Sequence, residues 1–139
     1  MAALSRLARD LHADGPPEPR SLCVTDADGQ TWHVDTVAGH DRLVIHTSLP
    51  LPAASLDSAA RDCLLHLNAE IQTMGSVWLA MHRPTDTVRL FDSFGPHEAT
   101  PEQLSKRVAR LADMRSQIHR TMCDVSESVP NRTLHLLNT

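Results

Sequence analysis

The run from Leu56 to Phe94 constrains this chain most: it reads as one helix followed by a tight pair of strands. Leu56, Ala60, Cys63, Leu64, Leu67, Ile71 and Met74 fall on one helical face, at about 100° per residue. Leu65 lies outside that stripe, nearly opposite Leu56, and Asn68 lies between the two. A helix that is apolar on more than one side has more than one surface to cover. The following strands supply one cover. The chain is too short to supply the other, which predicts a second copy of itself. Gly75 then stops the helix. Beyond it Val77, Leu79 and Met81 alternate with Trp78 and Ala80, residues 83–86 make a turn, and Val88 and Leu90 alternate with Arg89 and Phe91. A strand apolar on both faces is a covered strand. The predicted homodimer interface is therefore Leu64, Leu65, Asn68, Ile71, Val77, Trp78, Leu79 and Ala80. Asn68 either bonds backbone, bonds its own mate across the dimer, or is a solvated edge residue.

The remaining elements follow in order. Leu4, Leu7, Ala8 and Leu11 form a short amphipathic helix, ended by Gly15 and the prolines at 16, 17 and 19. A helix so short is marginal alone and must dock on the body or on a partner. Leu22 and Val24, then Trp32 and Val34, alternate about an Asp28-Gly29 turn, which predicts a hairpin. A third strand spans Leu43 to Thr47, closed by Pro50 and Pro52. Thr100, Pro101 and Gln103 cap a last helix, whose stripe runs from Leu104 through Val108, Leu111, Ala112 and Ile118 to Met122. Arg115 falls inside that stripe and must snorkel or pair with an acid. The order is α-β-β-β-α-β-β-α. It predicts an α+β fold, a twisted antiparallel sheet of about five strands with three helices. Residues 1–122 form the single domain, and residues 123–139 a tail that frays or docks through Leu134, Leu136 and Leu137.

Composition narrows the function. The 139 residues suffice for a core without metal or disulfide help. A net charge of −4 and the lack of a dense basic patch give no support for nucleic-acid binding. Cys23, Cys63 and Cys123 are odd in number and widely spaced, as in a reduced cytosolic protein. The N-terminus lacks the apolar run of a secretory signal, and no stretch approaches the roughly 20 apolar residues that span a bilayer. A cytoplasmic protein is expected, without membrane attachment.

No cofactor chemistry emerges. Cys63 and His66 are close enough on a helix to share a metal, but a closed zinc site needs four ligands and no second pair has ligand spacing. Asp26-Ala27-Asp28-Gly29 resembles part of a calcium loop, yet the twelfth position, which needs glutamate, is Val37. Trp32 and Trp78 suit core or interface better than a ligand platform. His33 and Asp35 share one strand face. With Cys23 they leave open a small α+β enzyme or sensor domain, although no nucleophile elbow accompanies them.

The order of elements, "CLLHLN" at 63–68 and "ATPEQL" at 99–104 resemble the class I type III secretion chaperones, the family of the Tir chaperone. These segments match the family's Leu-Leu-x-x-Asn run in its central helix and the cap of its last helix. The likeness spans roughly residues 3 to 122 and is strongest from 56 to 120. It implies a homodimeric, non-enzymatic protein without cofactors. Such a protein holds the N-terminal segment of a secreted effector in extended form before export, and the secretion ATPase is a further implied partner. It also implies effector-receiving grooves, to which Leu4, Leu7, Leu11, Leu22, Val24, Trp32, Val34 and Val44 are assigned. For Val24 and Val34 a place in the core is the better reading.

Overall fold

The computed structural model describes residues 2–16 and 19–137, with the side chains of the last helix described to residue 125. Its elements are α1 (Ala2–Asp10), β1 (Ser21–Thr25), β2 (Thr31–Thr36), β3 (Leu43–Pro52), α2 (Ser58–Ala69), α3 (Ile71–Met74), β4 (Trp78–His82), β5 (Thr87–Phe94) and α4 (Pro101–Leu137), with short 3-10 turns between some of them. The five strands form one antiparallel sheet in the order β1-β2-β3-β5-β4. The α+β expectation holds. A fourth helix appears because the central helix breaks at Glu70, whose φ −83° and ψ 81° leave the helical region. The break turns Ile71 out of the stripe, and its side chain is 76% exposed.

One sheet face carries the core. Leu22, Trp32, Val34, Leu43, Ile45, Leu79, Leu90 and Phe94 are buried, together with Leu4 and Leu7 of α1, Leu64 of α2 and Leu104, Leu111, Ile118 and Met122 of α4. Burial alternates along β1, β2 and β3, so the helices cover this face and leave the other open, with Arg89 of β5 the buried exception on the open side. The first hairpin closes on Asp26. Its Oδ1 accepts from the N–H groups of Asp28 and Gln30 at 2.9 and 3.0 Å, and its Oδ2 from Trp32 Nε1 at 2.9 Å. Gly29 supplies the positive φ, 83°, that the turn requires. This carboxylate is spent on the turn, as the hairpin reading requires.

Two boundaries depart from expectation. β3 continues through Pro50 to Pro52, because its pairing with β5 shifts between Ser48 and Pro52 and asks no ladder N–H of the prolines. The Ser48 carbonyl accepts from Arg115 Nε at 2.9 Å, which accounts for a charge in the α4 stripe. The last helix, with Gln103 N–H donating to Thr100 Oγ1 at 3.2 Å, does not stop at Met122 but runs to Leu137. No glycine follows Gly95 to end it. The side chains of Leu134, Leu136 and Leu137 lie outside the described residues.

Candidate functional site

Three surface features stand out. The first is an open groove of about 550 Å³ where the end of α1 and β1 meet α4, lined by Leu11, Val24, Leu104, Val108 and Ala112, with Asp26, Asp28 and Asp113. Of the residues assigned to effector binding, Leu11 and Val24 meet here. Leu4, Leu7, Trp32 and Val34 have no exposed surface and Leu22 is 6% exposed. Side chains so covered hold the core together and offer a ligand nothing to touch. Val44 is half-buried in the open face, opposite Asp35 and Ser93.

The second is apolar surface along α2, α3 and β4. Among the described residues the exposed large hydrophobic side chains are Leu65 at 69%, Ile71 at 76%, Trp78 at 37% and Met81 at 48%. Leu65 and Met81 flank a hollow of about 240 Å³ whose other walls include Leu64, Asn68, Leu79, Ala80 and Val88. Leu64, Val77 and Leu79 are buried within the chain's own core. Asn68 pairs with the backbone of Leu79 inside the same chain.

The third lies on the open sheet face, where His46, which sequence reasoning passed over, joins Cys23, His33 and Asp35. Strand register aligns Cys23, His33, His46, Phe91 and Trp78 in one row across all five strands. Their rings stack in succession: His33 on His46 at 5.3 Å, His46 on Phe91 at 5.2 Å and Phe91 on Trp78 at 5.4 Å between centroids. Arg89 Nε donates to His46 Nδ1 at 3.0 Å, and His46 Nε2 lies 2.6 Å from Asp35 Oδ2. A guanidinium has no lone pair to offer, so Nδ1 is the acceptor and Nε2 donates its proton to the carboxylate. His46 is thereby a neutral bridge between opposite charges. The His46 bond holds the Asp35 carboxyl below its ordinary range. Burial, followed by the Arg89 charge, lowers both His33 and His82.

This wiring bears on the enzyme reading. Cys23 Sγ lies 3.3 Å from His33 Nδ1, a thiol–imidazole pair. Asp35, however, bonds His46 rather than His33, so it does not orient that imidazole as an acid in a catalytic triad does. Cys63 is half-buried, and burial pushes its thiol up. Among the described residues no group of three His, Cys, Asp or Glu side chains is placed to hold a metal ion. None of the described helices is long and apolar enough to cross a membrane.

Solved structures share this architecture. A chain of the ExsC–ExsE complex superposes with a TM-score of 0.67 at 14% identity, covering 87% of this chain and 94% of that one. This is the fold found in type III secretion complexes. A chain of the HopA1–SchA chaperone–effector complex matches with a TM-score of 0.61 at 12% identity, over 86% of this chain and 91% of that one. A chain of the heterodimeric ExoU–SpcU complex from the type III secretion system of Pseudomonas aeruginosa matches with a TM-score of 0.61 at 17% identity, over 86% and 96%. No protein-family model matches the chain, and no curated sequence does. The fold implied by the likeness of residues 63–68 and 99–104 is thus the fold found.

Proposed function

We propose that this protein is a type III secretion chaperone, which binds the N-terminal segment of a cognate effector in extended form and keeps it soluble and competent for export. The observation that carries this reading is the shared fold, spanning 86% or more of this chain and 91% or more of each matched chain, including a chain of a chaperone–effector complex. The apolar groove of Leu11, Val24, Val108 and Ala112 supports it, since extended segments bind by placing alternate side chains in such pockets. The acids beside the groove suit a segment carrying basic residues. No step in this work needs a nucleophile or a cofactor.

A second copy of the chain is the proposed cover for Leu65, Ile71, Trp78 and Met81. A standard interface buries on the order of 1,600 Å² in total, and large exposed apolar side chains clustered on neighbouring elements are its usual core. The secretion ATPase is a further proposed partner, and the cytoplasm the proposed compartment.

Purification of the tagged protein from its native host, followed by mass spectrometry, is expected to return a secreted protein. A peptide of that protein's N-terminal segment is expected to bind on its own. Leu11→Asp, a half-buried position, should abolish peptide binding and leave the circular dichroism spectrum unchanged. Retained binding in Leu11→Asp, with loss on replacing Cys23 or His33, would overturn the reading in favour of an enzyme or sensor.

A further inference from the structure

The uncovered sheet face holds an arrangement that a scaffold does not require. Arg89 is only 6% exposed, and among the described residues it makes no ion pair with a carboxylate. A buried guanidinium is costly to leave uncompensated. Its hydrogen-bond partner is the bare Nδ1 of His46, at 3.0 Å. That nitrogen is also where an imidazole takes its second proton, because Nε2 already donates to Asp35. The two uses exclude each other. A proton on Nδ1 removes the acceptor and sets an imidazolium against a guanidinium.

The groups around His46 sharpen the conflict. Asp35 and His33 face it from β2, Arg89 and Phe91 from β5, and His82 from β4 with ring centroids 6.3 Å apart. Asp35 is the only anion in this set. One added proton therefore leaves two cations against a single carboxylate, with two more imidazoles able to charge beside them. The face also continues into the exposed apolar surface, since Trp78 stacks on Phe91, which stacks on His46. Arg89 pairs in register with Ala80, whose small exposed side chain leaves the guanidinium close to anything seated over β4.

We propose that His46 is a proton-operated latch: bare at Nδ1 it holds Arg89 down and leaves the face fit for a second copy of the chain, and protonated it releases Arg89 and drives that copy off. This rests on the reading that a second copy covers the β4 side of the molecule. Two copies related by a two-fold axis present the same face to each other, so two protons, one on His46 of each copy, charge both sides of the contact.

The test is sedimentation velocity at about pH 7.5 and about pH 5.5, a range that spans imidazole titration, on the wild type and on His46→Gln. Glutamine can donate to Asp35 and accept from Arg89 but takes up no proton. Wild-type self-association should weaken by about tenfold at the lower pH, within the range of coupled equilibria, and that of His46→Gln should not. Equal weakening of both proteins, or of neither, overturns the latch and leaves the dimer reading intact. A wild type that is monomeric at the higher pH overturns the dimer reading and the inference with it. If His46→Gln does not fold, nitrogen-15 spectra of the wild type decide. Loss of the Arg89 Nε–H signal as His46 Nδ1 protonates supports the latch, and a signal that persists through that protonation overturns it.

Discussion

The side-chain amide of Asn68 engages both backbone groups of Leu79: Nδ2 donates to the carbonyl at 2.9 Å, and Oδ1 accepts from the N–H at 2.8 Å. β4 is an edge strand, paired only with β5. Leu79 therefore turns an unpaired donor and acceptor outward, where another chain can add to the sheet. The asparagine occupies both and ties α2 to β4 at the same time.

Asn68→Leu is expected to lower stability by about 1–2 kcal/mol, since it leaves two partly buried backbone groups without their partner. The thermal midpoint should fall by several degrees. An unchanged midpoint would count against the role assigned to this amide.

Asp92 has no exposed surface, and its carboxylate accepts from Ser76 Oγ, its neighbour's Ser93 N–H, Arg107 and Arg110. Arg107 also bonds Glu98 at 3.0 Å and lies over the Phe94 ring at 4.9 Å. This cluster joins β5 to α4. Asp92→Ala removes the anion from a buried network and should cost about 3 kcal/mol, read as a lower denaturant midpoint. A midpoint equal to wild type would show that solvent satisfies both arginines.

Stability should fall on acidification in two stages. His33 and His82 take protons less readily in the folded chain than their ordinary value of 6.5, because burial and Arg89 oppose the charged form. Below that pH the unfolded chain binds more protons, so stability drops as pH falls from about 6.5. Asp26 and Asp35 are lowered from 3.8, chiefly by their bonds to Trp32 and His46. Their contribution is complete above 3.8 and is lost as pH falls through the folded values. Thermal melts across this range check both stages, and a midpoint that is flat between about pH 7 and pH 5 would refute the first.

What the sequence determined by itself lies within a few residues of its cause. The Asp26–Gly29 turn, the alternation of Leu22, Trp32, Val34, Val88 and Leu90, and the Thr100 cap each act locally, and each stands where expected. The α+β class follows from their order. Tertiary structure decided the rest. Leu7, assigned to an effector groove, is buried where α1 packs on β1 and β2, and Ile71 leaves the α2 stripe because the chain breaks at Glu70. The row from Cys23 to Trp78 exists only because β3, paired with β2 on one side, takes β5 rather than β4 on the other, bringing Arg89 to His46 across 43 residues. Periodicity assigns each residue to a face of its own strand, whereas register between strands is fixed by the packing of the whole sheet.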